Sequence, residues 1–511
     1  MTLDPSSSRK SKLGVDLTNL SFLFEALRSC LSILFCHHHH PEILPMSEDT
    51  TPSRIRTHIL CFDGTASEYD SENTNVVKFF ALVEKDNCDD QLCYYQAGIG
   101  TFFAPGVVSP LFQWCAKVLD EAFAWYLDAH VMDGYRFLMQ NFRTGDKICL
   151  FGFSRGAYTA RALAGMLYKV GLLPRDNQEQ IVFAYKLYTR TDNAGIRLSA
   201  GFKKTYCQPV EIEFLGVWDT VASVGVIATK TLPFTRDNSS IKTFRQALSL
   251  DEHRARFKPN LFHREPPNSS GSAEGEGIKV ETDPKPPTDR GSETAPSPMS
   301  RTLSDYFRRK KQNFKFDIPK IASRMDEQTT READVLEVWF AGCHSDIGGG
   351  SVSNSTKQSL SNISLRWMVR QVMESQCGIK FNENALTQLE IRSEPMSVAP
   401  RPSTGDSSSA HSGNSQVSWK ALDTLDSLQP LHDALVQNPA WWLLEILPMK
   451  ARYQDADCRW HTTYAWNLGR GRQIYTPKPY FHMTVKYRYD DVTLAYKPKA
   501  RWQEGTEVYI E

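Results

Sequence analysis

Four apolar, β-branched runs along this chain each end abruptly in a small polar corner, and the repetition predicts strands that empty into loops. They are Thr57–Thr65 (THILCFDGT), Ile148–Gly156 (ICLFGFSRG), Glu211–Val221 (EIEFLGVWDTV) and Val335–Gly350 (VLEVWFAGCHSDIGGG). Directly behind the second run comes Ala157–Val170, an Ala-rich helical stretch whose small residues suit close packing on a strand. A second helical segment, Leu111–Phe142, carries Trp114, Leu119, Phe123, Tyr126 and Leu127 and leads into that run through Gly145 and Asp146. Core packing accounts for those aromatics without a ligand. Polar corners at the carboxyl ends of strands are where open α/β sheets place their chemistry.

Between these runs the apolar pattern lapses twice. Arg264–Thr330 is dense in Pro, Ser, Gly, Glu and Lys, and Pro400–Gln416 is a shorter polar stretch. Neither has the aliphatic content to bury a core, so both are expected to be flexible inserts. Within the first, RTLSDYFRRKKQNFKFDIP forms a basic patch centred on Arg308–Lys311, read as an exposed charge run, with anionic lipid or a partner as the alternative. The tail, Val417–Glu511, is rich in aromatics and is expected to fold. At the other end, Leu17–Cys36 follows a basic RKSK and sets Leu20, Leu23, Leu27 and Leu31 at helical spacing. Glu25 and Arg28 interrupt it and no small-residue cleavage site follows, so an amphipathic helix is expected rather than a signal peptide or a membrane span. The predicted organisation is a partly disordered extension over 1–53 and a single enlarged domain over 54–511, interrupted at 264–330 and 400–416.

Composition narrows the partners. Over 511 residues, Lys plus Arg and Asp plus Glu both total 59, so no global field favours nucleic acid or an anionic surface. The eleven cysteines are odd in number and form no CxxC pair, which suits a reduced, intracellular and cytoplasmic setting. His37–His40 beside Pro41 is read as a solvated loop, and no metal or cofactor is expected.

The chemistry concentrates in the second run. Gly152-Phe153-Ser154-Arg155-Gly156 has the strand-to-helix context of a nucleophile elbow, in which glycines keep the turn free of Cβ clashes. Ser154 is therefore the candidate nucleophile, against the plainer reading of a surface serine in a turn. The helix behind it would aim free amides and a partial positive charge at the reaction centre. A serine needs a base, and in this kind of sheet the order is Ser, then Asp or Glu, then His. The corners of the third and fourth runs supply Asp219 and His344 in that order. A turn or cap aspartate and a structural histidine are the plain alternatives. His482 and His432 are reserve bases, and Asp346 competes for the carboxylate role, although its position suits fixing the loop around His344. For the oxyanion, the Arg155 amide and one from Gly64 or Thr65 are the candidate donors. The Asp-Gly-Thr corner of the first run also occurs in haloacid dehalogenase-like phosphatases, but Cys61 stands where their nucleophilic Asp belongs.

The set LCFDGT, GDKICLFGFSRGAYTARALAGM, FLGVWDTVASVG and WFAGCHSDIGGG, in that order across about 290 residues, resembles a large family of fungal and bacterial proteins long catalogued as a domain of unknown function. That family is similar to the catalytic domain of type VI secretion phospholipase effectors. The resemblance implies an α/β-hydrolase-like fold, a mostly parallel sheet with helices on both faces, and a Ser-Asp-His triad falling on Ser154, Asp219 and His344. It also implies ester or phospholipid hydrolysis of acyl lipids, with peripheral membrane contact open. Related fungal members share the WWLLEILP and NLGRGR patterns of the tail, which assigns Val417–Glu511 to the same domain as a cap or flank. The competing readings are a non-catalytic scaffold on the same fold and a soluble non-lipid esterase or thioesterase.

Overall fold

The computed structural model describes residues 54–64, 71–98, 127–221, 233–234, 238–263, 333–388 and 419–511. The helix expected over Leu17–Cys36, the inserts at 264–330 and 400–416, the basic patch, Thr65 and residues 111–126 lie outside them. The described residues belong to one compact unit, Arg54–Glu511.

Its centre is an eight-stranded sheet in the order β10-β9-β6-β5-β4-β3-β1-β2, with every neighbouring pair parallel. The strands are β1 (Thr57–Phe62), β2 (Gln91–Gln96), β3 (Lys147–Phe153), β4 (Ile212–Trp218), β5 (Ile241–Ser249), β6 (Asp334–Phe340), β9 (Tyr480–His482) and β10 (Val508–Ile510). An antiparallel hairpin, β7 (Met449–Gln454) with β8 (Trp460–Ala465), stands apart from the sheet. The four apolar runs became β1, β3, β4 and β6. A parallel sheet sandwiched between helices buries both faces of its strands, which is why these segments read as continuous apolar runs and not as alternating patterns. All six residues of β1 are buried.

The two faces carry separate cores. Leu60 and Phe62 of β1 and Ile148 and Leu150 of β3 pack on one side with the helix α1 (Ser154–Val170) and with helical residues 127–141. Ile59 and Cys61, with Cys149, Phe151 and Phe153, face the other side against the helices Asn75–Leu82 and α2 (Leu360–Ser375). A third cluster joins Leu248 of β5, Leu250 just after it and Trp339 of β6 to Ile474, Phe481, Val485 and Tyr496 of the tail. The tail is thus integral to the body. Its WWLLEILP stretch is largely exposed, with Trp442, Ile446 and Leu447 on the surface and Glu445 buried beneath them. Among the described residues no helix is long and apolar enough to cross a membrane.

Strand order reverses at β1: β2 lies on one side of it, and β3 and the later strands on the other. Ligands of open α/β sheets bind outside the carboxyl ends of strands at such a switch. The corners after β1, β3, β4 and β6 all open on that edge.

Candidate active site

β3 ends at Phe153 and α1 begins at Ser154, so the chain turns from strand to helix across one peptide unit. That turn forces Ser154 to φ 56°, a left-handed value costly for a residue with a Cβ. Both glycines of the pentapeptide have steric reasons. A Cβ on Gly156 would sit 2.2 Å from the Phe62 carbonyl oxygen, and one on Gly152 would sit 2.6 Å from the Gly156 backbone. β1, β3 and α1 therefore meet through backbone alone.

His344 follows β6 at the start of the short helix Cys343 caps, His344–Gly348. Asp346 accepts from the Cys343 amide at 2.9 Å and so fixes the corner. Gly348 lies flat on the Phe153 ring, where a Cβ would come within 1.9 Å. This close approach seats the histidine loop on the strand of the serine. The His344 ring packs against Phe153 and Phe257, centroids 4.6 and 4.8 Å away.

The structure brings Ser154, His344 and Asp219 into one line. His344 Nε2 lies 2.8 Å from Ser154 Oγ, and His344 Nδ1 lies 2.5 Å from Asp219 Oδ2. Asp219, the residue after β4, is wholly buried and also sits at positive φ, 39°. Burial pushes its carboxyl pKa up, but the Arg472 charge and the hydrogen bonds from His344 and Arg472 outweigh that and hold it well below the usual carboxylate range. An ionised Asp219 can only accept, so His344 Nδ1 carries the proton and Nε2 is left to accept from the serine hydroxyl. Burial lowers the His344 pKa, opposed by the Asp219 hydrogen bond and charge.

Sequence reasoning missed the group that compensates Asp219. Arg472 is buried and donates to both carboxylate oxygens, Nη1 to Oδ1 at 2.6 Å and Nη2 to Oδ2 at 2.8 Å. It also donates to the Ser249 and Phe257 carbonyls, and the Ser249 amide gives Asp219 Oδ1 another hydrogen bond at 3.0 Å. The NLGRGR motif contains this arginine, yet nothing in its spacing points to Asp219.

The remaining candidates are placed differently. Gly64 lies beside the serine, its Cβ direction 3.4 Å from Ser154 Cβ, but its amide donates to Asp63 Oδ1 at 2.7 Å. Asp63 also accepts from Thr74 and Tyr95, and burial, partly offset by these donors, raises its pKa to about 6. Arg155 occupies the first turn of α1, where amides point out of the helix N-terminus. Asp346 bonds the ring of His432 at 2.7 Å and the Cys343 amide, with His344 outside its partners. His482 is buried at the end of β9, stacked on Phe340 and bonded to Thr484. Among the described residues no group of three or more His, Cys, Asp or Glu is arranged to hold a metal ion.

Comparison with known proteins places this geometry in context. A family model described as "T6SS, Phospholipase effector Tle1-like, catalytic domain" matches residues 56–371. An uncharacterized protein of Saccharomyces cerevisiae is 27% identical over 538 residues, covering 84% of this chain and 78% of that one. Among solved structures, an uncharacterized protein from Pseudomonas aeruginosa matches with 17% identity and a TM-score of 0.33 over 74% of this chain. The Tle1 effector bound to the VgrG spike of the type 6 secretion system matches with 15% identity and a TM-score of 0.28 over 63% of it. The matches cover 53% and 57% of those two solved chains.

Proposed function

Because the chain belongs to the Tle1-like phospholipase effector catalytic domain family, we propose that it is a serine hydrolase of carboxylic esters, acting on acyl lipids with phospholipids among them. The observation that carries this reading is the unbroken relay from Ser154 Oγ through His344 to an Asp219 ionised by Arg472. Ser154 attacks the acyl carbon as His344 Nε2 takes its proton. The resulting imidazolium is stabilised by Asp219 and returns the proton to the departing alkoxide. Water, activated by the same histidine, then releases the acyl group. The Arg155 amide at the α1 N-terminus is the first oxyanion donor. Gly64 serves as the second only if its amide turns from Asp63, and Thr65 is the other candidate. Action inside the cell fits the eight cysteines that are free among the described residues.

The test is hydrolysis of short-chain esters, long-chain esters and phospholipid vesicles by the purified chain beside Ser154→Ala. Activity lost by at least about a thousandfold in the variant is the expected outcome. Rates that rise with acyl length and at an interface assign a lipid substrate, whereas rates that fall with length assign a soluble ester. Equal turnover by both proteins would overturn the serine mechanism, and none by either would favour a scaffold.

A further inference from the structure

The C-terminal hairpin and its flanks, beyond the matched 56–371, form a surface with a wall from residues 255–262, and apart from Arg472 the proposed chemistry does not use it. A cavity of about 260 Å³ lies under β7 and β8. Among the described residues five cationic side chains line it, Lys258, Arg452, Arg470, Arg472 and Arg501, and no Asp or Glu does. Arg472 is committed to Asp219, while among the described residues no carboxylate forms an ion pair with any of the other four. Burial, with the Arg472 and Arg501 charges adding to it and those of Glu445 and Glu252 opposing it, lowers the Lys258 pKa to about 8. Aromatic faces complete the wall: Tyr453 stacks on Tyr475 at 4.3 Å, and Arg452 lies over Trp460.

Around this cavity the surface is apolar. Trp442, Ile446, Leu447, Tyr464, Trp466 and Leu468 are all exposed, Tyr464 by 72% and Trp466 by 57%. They share one neighbourhood. The Leu468 amide donates to the Glu445 carbonyl, a Cβ on Gly469 would lie 3.1 Å from the Trp442 ring, and Trp466 itself lines the cavity. Exposed aromatics beside a cluster of cations, four of which form no ion pair with a carboxylate among the described residues, match the two demands of a lipid surface, an amphipathic belt at headgroup level and compensation of negative lipid charge.

We propose that the face built by residues 442–475 docks on an anionic lipid bilayer and receives a headgroup phosphate in the cation-lined cavity. Arginine forks suit phosphate oxygens, and the aromatic rim supplies the apolar contact that a soluble anion would leave unused. Through Arg472, one wall of this cavity is also the clamp on Asp219, so the docked face lies next to the relay.

The experiment is sedimentation of the full chain with vesicles of phosphatidylcholine alone and with added phosphatidylglycerol, at low and high salt. Binding to the anionic vesicles that weakens with salt is expected. Arg452→Gln, Arg470→Gln and Arg501→Gln together should lower the partition coefficient by roughly a hundredfold, at about fivefold per cation. Trp466→Ser should weaken binding in either salt. The melting temperature of each variant establishes that it is folded. Equal binding to both vesicle types, no binding, or full binding by the folded triple variant would overturn the proposal. So would saturable binding of free glycerol phosphate without vesicle binding, which would assign the cavity to a soluble phosphate ester. Because the readout is binding, a chain without esterase activity passes or fails on the same terms.

Discussion

At the scale of single residues, the decisive feature is a charge held in place. A buried carboxylate that loses its cation either neutralises or destabilises the fold, and removing one partner of such a pair costs about 3–5 kcal/mol. Arg472 is what lets Asp219 stay ionised at zero exposure. Arg472→Met is therefore expected to lower kcat/KM by at least about a hundredfold, since a neutralised Asp219 would no longer hold the imidazole tautomer. Where Asp219 remains ionised its negative charge is uncompensated, His344 becomes more basic, and the acid limb of the kcat/KM profile moves to higher pH. Arg472→Lys keeps the charge without the bidentate fork and should recover part of both effects. A pH profile of Arg472→Met that superimposes on the parent, in a folded protein, would show that the arginine is structural only.

Among elements, the corner at Ser154 depends on glycines that let backbones meet. Gly156→Ala must displace the end of β1, and a loss of about 3 kcal/mol in urea unfolding is expected. Gly201 is the contrasting case: it is exposed on the helix Asn193–Tyr206, and an added Cβ meets nothing within 4 Å. Gly201→Ala should stabilise by about 0.5–1 kcal/mol, the ordinary helix preference. Equal effects at the two sites would refute the steric account of the elbow. The same contrast explains what the sequence made legible. β1, β3, β4 and β6 announce themselves because their burial is apolar, and Ser154, Asp219 and His344 because each ends such a run. β5 was silent: in IKTFRQALS, Arg245 is buried against Gln371 and Asp334, and Gln246 against Glu337 and Asn260, so polar pairing replaces the apolar signal. β9 and β10 have three residues each, too few for a pattern. Arg472 stands 253 residues from Asp219, in a loop whose register with β4 only the folded sheet defines.

Across the whole molecule, the buried titratable groups set a common response to acid. His58, His344 and His482 are buried, and burial lowers each of their pKa values below the ordinary 6.5. When the folded pKa of a histidine lies below the unfolded one, the unfolded chain takes up the proton first. The stability these groups contribute is thus complete above about pH 6.5 and is lost progressively as pH falls from there toward each folded value. Asp63 acts in the opposite sense. Its pKa of about 6 exceeds that of an unfolded aspartate, so between pH 6 and 4 the native state binds one proton more. Asp251 and Asp426 are buried and raised as well and act with Asp63, so the net slope is the balance of the two sets, and each proton by which they differ is worth about 1.4 kcal/mol per pH unit. Single variants therefore read each side of that balance, from the slope of urea-unfolding stability against pH between about 6.5 and 5. His482→Phe, which keeps a ring stacked on Phe340 and removes one titrating group, should lower that slope by about one proton even where it lowers stability at pH 7. Asp63→Asn should raise it, because one opposing proton is gone. A slope unchanged in both variants would show that these buried groups do not govern the acid response.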